Sequence, residues 1–136
     1  MVVEEIMSED PFVVGVTETV GAAIKKLIEA DVRHLPVVSE GELVGMVSDR
    51  DLRSFTPMAM LELAKPRELE ARLAQPVSKV MSTDVISVNP ETDVSEVIDL
   101  MIEHKIGAVP VVEPDSSKLV GIVSYIDALR VVKDEL

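Results

Sequence analysis

The two halves of this sequence repeat one another in register, and that constrains the fold more than any other feature. Ile6-Met7-Ser8 recurs as Val80-Met81-Ser82, an offset of 74 residues. The same offset carries Val20 to Val94, Ile24 to Ile98, Leu27 to Met101, Pro36 to Pro110 and Val37-Val38 to Val111-Val112. A two-residue insertion within Glu113–Ser117 then lengthens the offset to 76. Leu43-Val44-Gly45-Met46-Val47-Ser48 thereby aligns with Leu119-Val120-Gly121-Ile122-Val123-Ser124, and Asp51 aligns with Asp127. Apolar and special positions shared in this way mean one supersecondary unit built twice.

Each copy reads as β-α-β-β-α. Short strands are predicted at Phe12–Val16 and Val85–Val88. Helices follow over Val20–Ala30 and Val94–His104, where Val20, Ala23, Ile24, Leu27 and Ile28, then Val94, Val97, Ile98, Met101 and Ile102, have helical spacing. Thr19 and Asp93 are their N-cap candidates. A hairpin is predicted from Leu35–Val38 with Leu43–Val47, and again from Val109–Val112 with Leu119–Val123. A last helix starts at Ser48 and at Ser124. The fold class is therefore α/β (α+β), with copy one over residues 1–55, a helical linker over 56–76 and copy two over 77–136. In the linker, Thr56-Pro57 reads as an N-cap with Pro at the first helical position, and Lys65-Pro66 as a break before a helix over Pro66–Gln75. Met58, Met60, Leu61, Leu63, Leu69 and Leu73 give the linker apolar surface. It either packs against the repeats or a dimer partner, or serves as a lid or partner-docking element.

With 136 residues the chain has the size of one compact domain, or of two small halves sharing a core. Only Phe12, Phe55 and Tyr125 are aromatic, so Val, Ile, Leu, Met and Ala must build the interior. The net charge of −12 argues against nucleic acid and against anionic membranes. It leaves room for a small anion held by local basic groups. The absence of cysteine removes disulfides, thiolate metal sites and Cys nucleophiles. No signal peptide and no apolar run long enough to span a bilayer is visible, so a cytoplasmic location is expected.

Three constellations recur once per copy. The first is Ser48-Asp49-Arg50-Asp51 with Ser124-Tyr125-Ile126-Asp127. A serine between strand and helix gathers free backbone N–H groups that suit phosphate oxygens. The carboxylate three residues on can accept two hydrogen bonds from a ribose diol. The same spacing also makes a capping box, in which the acid returns a bond to the N-cap backbone. The second is Arg33-His34-Leu35-Pro36 opposite Gly107-Ala108-Val109-Pro110. Here Arg33 offers a planar fork for phosphate, whereas Gly107 permits close approach. Arg33 and His34 could equally form the solvated start of a strand. The third comprises Asp10-Pro11-Phe12-Val13 and Asp84-Val85-Ile86. These offer apolar walls and backbone groups that could read the edge of a base, or else ordinary core strand.

Other chemistries find little support. His34 and His104 do not correspond under the repeat, and neither sits among spaced ligands, so no metal is expected. No Gly-rich phosphate loop or nucleophile elbow occurs, so no catalytic residue is assigned and the chain is not expected to be an enzyme.

The hydrophobic-Pro-Val strand, the Val-Gly-hydrophobic-Val strand and the Ser-x-x-Asp helix start, all in duplicate, resemble a tandem pair of CBS domains, a Bateman module. The resemblance covers nearly the whole chain except Ser54–Pro76. It implies a stand-alone pair packed about a pseudo-two-fold axis, with two clefts that take AMP, ADP or ATP, or else S-adenosylmethionine or an NAD-type ligand. It implies ribose binding by Asp51 and Asp127, and phosphate binding by Ser48 and Ser124 with Arg33, His34 and Arg50. It implies a base pocket from Asp10, Pro11, Phe12, Val13, Leu35, Pro36, Asp84, Val85, Ile86, Gly107, Ala108, Val109 and Pro110. It further implies a regulatory role, a homodimer and an unidentified protein partner. A ligand-free structural module is the rival reading. The mismatches Arg33/Gly107 and Arg50/Ile126 predict unequal sites, with the one carrying Asp51 favouring phosphates.

Overall fold

The structure is a computed structural model that describes residues 1–56 and 65–136. Its strands are β1 (Ser8–Glu9), β2 (Val14–Gly15), β3 (His34–Ser39), β4 (Glu42–Ser48), β5 (Ala108–Val112) and β6 (Leu119–Ser124). Its α-helices among the described residues are α1 (Val20–Ala30), α2 (Asp49–Phe55), α3 (Pro66–Leu73), α4 (Val94–His104) and α5 (Tyr125–Asp134). Two three-stranded sheets result, ordered β2-β3-β4 and β1-β6-β5. The mixed α+β class read from the sequence is thus the observed one.

The chain folds as two compact units. One, the Asp51 unit, holds Phe12–Glu40 and Val44–Val85; the other, the Asp127 unit, holds Met1–Pro11, Gly41–Leu43 and Ile86–Leu136. The lead-in of each copy therefore lies in the unit built mainly by the other copy. In the Asp127 unit, β1 pairs antiparallel with β6, Ser8 opposite Ile122. In the Asp51 unit, Ser82 and Met46 exchange both backbone hydrogen bonds, at 2.8 and 2.9 Å. Sequence pattern gave no sign of β1, because two residues are too short to show alternation.

The two glycines of the repeated Val-Gly motif explain how these crossings fit. A Cβ on Gly45 would lie 2.7 Å from Met81 Sδ and 2.9 Å from the Ser82 carbonyl oxygen. A Cβ on Gly121 would lie 2.6 Å from Met7 Sδ and 2.9 Å from the Ser8 carbonyl oxygen. Methionine can swing aside, but the carbonyl belongs to a paired backbone and cannot. Only a residue without a side chain allows this approach.

The two cores match at eight positions, and Val20 is the additional member in the Asp51 unit. In the Asp51 unit Val14, Val20, Ala23, Leu27, Leu35, Val37, Val47, Leu52 and Val77 are buried together. In the Asp127 unit the core comprises Val3, Val88, Val97, Met101, Val109, Val111, Val123 and Ala128. Val77 and Val3 are the exchanged members, each delivered by a lead-in. Burying a valine contributes roughly 1.5–3 kcal/mol, so each lead-in adds hydrophobic stabilisation as well as backbone pairing.

Both long helices span the residues predicted, and their apolar stripes are narrower than expected. Ile28 and Ile102 are 74% and 71% exposed. Thr19 caps α1 by accepting from the Ala22 N–H at 3.1 Å, whereas Asp93 makes no side-chain cap. The predicted strand at Phe12–Val16 shortens to β2, which runs parallel to β3 with Val14 opposite Val37. The predicted strand at Val85–Val88 shrinks to a single bridge, Val88 with Val111. Pro90 explains why the ladder stops at Val88 rather than running on as in copy one. In copy one the Val16 N–H extends the ladder by donating to the Val38 carbonyl at 2.9 Å, and proline at the matching position has no N–H to give.

In the linker, α3 begins with Pro66 at its first turn, as the sequence suggests. Thr56 is the C-cap of α2, and its buried hydroxyl donates to the Leu52 carbonyl at 2.8 Å. Pro57, Met58, Met60, Leu61 and Leu63 lie outside the described residues. Arg72 of α3 donates from Nε to the Phe55 carbonyl at 2.7 Å and stacks its guanidinium 4.6 Å from the Phe55 ring centroid. That contact fixes α3 to the end of α2.

The glycine crossings give a direct test. Gly45→Ala or Gly121→Ala should destabilise the protein by about 1–3 kcal/mol in chemical denaturation, as overpacking against fixed backbone does. Adding Met81→Ala to Gly45→Ala should recover only part of the loss, since the Ser82 carbonyl stays in place.

Candidate ligand-binding sites

In each unit the end of one strand and the start of the next helix form the same local structure. Ser48 is the extended last residue of β4 and the N-cap of α2. Its Oγ accepts from the Asp51 N–H at 3.1 Å, and its own N–H donates to Asp51 Oδ2 at 2.9 Å. Ser124 and Asp127 repeat this at the start of α5, with distances of 3.2 and 2.8 Å. There the Ser124 hydroxyl also donates to Asp127 Oδ2 at 3.1 Å. The capping box considered from the sequence is therefore present in both copies. It engages only Oδ2 of each carboxylate. Among the described residues nothing donates to either Oδ1, so each aspartate is held rigidly with one oxygen left over. Capping and ligand binding are compatible in this geometry.

The start of the preceding hairpin strand is tied to the same place. The Asp49 N–H donates to the Arg33 carbonyl at 2.9 Å, and the Tyr125 N–H donates to the Gly107 carbonyl, also at 2.9 Å. Arg33 and His34 thus stand beside Ser48 and Asp51 within one unit. Burial pushes the half-buried His34 imidazole below its ordinary pKa; the Asp51 carboxylate opposes that push, Arg33 adds to it, and Asp49 opposes it. A neutral imidazole offers a phosphate a hydrogen bond rather than a charge.

The cationic groups nearby are already engaged. Arg33 Nη1 lies 3.5 Å from Asp49 Oδ2, and Arg53 Nη2 lies 3.0 Å from the same oxygen. Both arginine side chains are more than two-thirds exposed. Arg50 is exposed at the helix surface.

The remaining sequence candidates divide between the units. Phe12, Val13, Leu35, Pro36, Asp84 and Val85 belong with Asp51; Asp10, Pro11, Ile86, Gly107, Ala108, Val109 and Pro110 belong with Asp127. Phe12 is 63% exposed, which removes it from the core and leaves its ring available. Asp10 has a positive φ of 48° and is exposed. Leu35, Pro36, Ala108, Val109 and Pro110 are buried, so their side chains belong to the interior. Asp84 is exposed, while Val85 and Ile86 are half-buried. One contributor escaped sequence reasoning. Lys26 Nζ donates to the Val13 carbonyl at 2.8 Å and to Glu18 at 3.1 Å, pinning the segment that carries Phe12. The Gly15 N–H, with help from Lys26, holds the Glu18 carboxyl below its ordinary range against the effect of burial. The signal was there in principle, since copy two has Leu100 where copy one has Lys26.

Among the described residues no group of three or more His, Cys, Asp or Glu is arranged to hold a metal ion, and no helix is long and apolar enough to cross a membrane.

Comparison with known proteins yields matches along almost the entire chain. The CBS domain profile matches residues 3–56 and 77–134. The CBS domain-containing protein YhcV of Bacillus subtilis is 34% identical over 125 residues, spanning 92% of this chain and 81% of YhcV. The crystal structure of CBSX2 in complex with AMP superposes with a TM-score of 0.81 at 28% identity, covering 98% of this chain and 96% of that one; CBSX2 is a CBS-pair protein from Arabidopsis thaliana. The CBS domain pair of protein MJ0100, in complex with 5′-methylthioadenosine and S-adenosyl-L-methionine, superposes with a TM-score of 0.80 at 27% identity, covering 100% and 98%.

His34 supplies a test of the site's electrostatics. Its pKa is lowered in the folded state, so the unfolded chain binds the proton first on acidification. The His34 contribution to stability should be constant above about pH 6.5 and fall as pH drops below it. His34→Gln should remove that part of the slope in denaturation curves recorded between pH 8 and 5.5. An unchanged slope would show that another group carries it.

Proposed function

The chain belongs to the CBS domain family and carries two copies of the domain, and from that premise we propose that it is a regulatory module, not an enzyme, that binds an adenine nucleotide. Asp51 and Asp127 hold the ribose diol through the oxygen that capping leaves over. Ser48, Arg33 and His34 meet the phosphate in the Asp51 unit, and Ser124 does so in the Asp127 unit. The observation that carries this reading is the same pre-set aspartate in both units, oriented through Oδ2, with no donor to Oδ1 among the described residues. The ligands of the similar structures support it. AMP, methylthioadenosine and S-adenosylmethionine differ at the 5′ position and share adenine and a ribose diol. An aspartate facing the diol recognises what they share. Groups near Arg33 then decide among them, and the cationic side chains there favour AMP, ADP or ATP in the Asp51 unit. S-adenosylmethionine is the second reading, favoured by the absence of any counterpart of Arg33 in the Asp127 unit, where Gly107 stands instead.

Titration calorimetry and thermal shift with AMP, ADP, ATP and S-adenosylmethionine test this. A true ligand at 100 times its Kd should stabilise the fold by about 2.7 kcal/mol. Asp51→Ala and Asp127→Ala should each abolish one class of site and leave the other. No shift with any of these ligands would sink the reading in favour of a structural module.

The module works, on this proposal, as a homodimer that passes ligand state to a protein partner. The support is the outer face of α5, where Tyr125, Ile126, Leu129 and Val132 are 41–56% exposed at helical spacing. Apolar stripes of this kind mark association surfaces. Sedimentation should find a dimer that Leu129→Glu converts to a folded monomer. A wild-type monomer at all concentrations would refute the assembly.

A further inference from the structure

Three residues of the Asp51 unit form a charge cluster with no counterpart in the other copy. Asp49 Oδ2 lies between Arg33 Nη1 at 3.5 Å and Arg53 Nη2 at 3.0 Å. Under the repeat, Arg33 corresponds to Gly107, Asp49 to Tyr125 and Arg53 to Leu129. All three members are replaced together, so the cluster is present or absent as a unit. Nothing in the fold requires it: the capping box and the bond from residue 49 or 125 to the preceding strand are the same in both copies.

We propose that Asp49 is an internal competitor for the ligand phosphate and thereby sets how strongly the Asp51 site prefers phosphorylated adenosines. The proposal rests on the adenine-nucleotide reading above. Arg33 is the cation that reading assigns to phosphate, and its guanidinium faces Asp49. A phosphate must take Arg33 from the carboxylate and then stand near that carboxylate's charge. The exchange is feasible because the contact it breaks is the longer of the two and is solvent-exposed, where ion pairs are weak. Arg53, one helical turn on from Asp49, keeps the carboxylate paired after Arg33 leaves. The phosphate gains a two-pronged charge-assisted contact. It meets at the same time a fixed negative charge a few ångströms away, which opposes it. Adenosine and 5′-thioether adenosines meet neither effect. Asp49 therefore narrows the difference in affinity between phosphorylated and unphosphorylated ligands without touching ribose or base.

The test compares AMP with adenosine by titration calorimetry on the full chain. Asp49→Asn should tighten AMP binding at the Asp51 site by roughly three- to tenfold and move adenosine by less than twofold. In the Arg33→Met background the same Asp49→Asn change should no longer favour AMP through release of the arginine, so the two substitutions should couple. Asp127→Ala serves as the background throughout, so that only one class of site is read. Weaker AMP binding by Asp49→Asn would show that Asp49 positions Arg33 for the phosphate rather than competing with it, and would overturn the proposal. An equal change for AMP and adenosine would do the same. If neither ligand binds the wild-type or the Asp49→Asn chain, the adenine reading itself falls, and the competition with it.

Discussion

The fold depends on the absence of two β-carbons. At Gly45 and Gly121 a strand of one copy lets the backbone of the other copy's lead-in approach to hydrogen-bonding distance, with a serine carbonyl and a methionine sulfur where a side chain would stand. Everything nearby follows from that approach. Ser8 and Ser82 can pair with the strands, Val3 and Val77 can reach the two cores, and the hairpins gain a neighbour along an otherwise bare edge. Bare edges invite unwanted pairing, and here each edge is covered by the chain's own backbone.

Much of this was legible in the sequence because periodicity and duplication reinforce one another. The limits of α1 and α4, the hairpins and the Ser-x-x-Asp starts could be read twice, and each reading checked the other. What escaped had a physical reason. The strand β1 is two residues long, and its partner is remote in sequence, so no local pattern encodes it. The ladder before α4 stops at Val88 because Pro90 lacks a donor, a single-residue effect that apolar patterning hides. Ile28 and Ile102 continue the apolar stripe of their helices yet face outward, since spacing fixes a face and not how much of it is covered.

The candidate sites show a similar division. Residue types and spacing pointed to Ser48, Asp51, Ser124 and Asp127, and the geometry adds that each aspartate is already oriented by its own cap. Sequence presented capping and binding as rivals. The capping bonds engage one oxygen of each carboxylate, so capping does not preclude binding. The bond from Lys26 to Val13 and the contact of Arg33 with Asp49 needed three dimensions to be seen, because their partners lie on different elements, whereas Arg53 and Asp49 stand one turn apart on α2. They also give the inequality between the copies a chemical form. Copy one has charged residues at Arg33, Asp49 and Arg53, where copy two has Gly107, Tyr125 and Leu129.

The exchange of lead-ins has a consequence for the order in which the protein is made. Every segment of the Asp51 unit lies before Ile86, so that unit can close once its last residues leave the ribosome. The Asp127 unit needs β1 to meet β6, which is synthesised only after every segment of the Asp51 unit. Its first strand must wait for its partner while that whole unit is translated. Pairings between such distant segments form slowly, because the loop between them must close before any contact repays it. The nascent chain therefore carries Val3 and its neighbouring Met7 exposed until the second copy arrives to bury them.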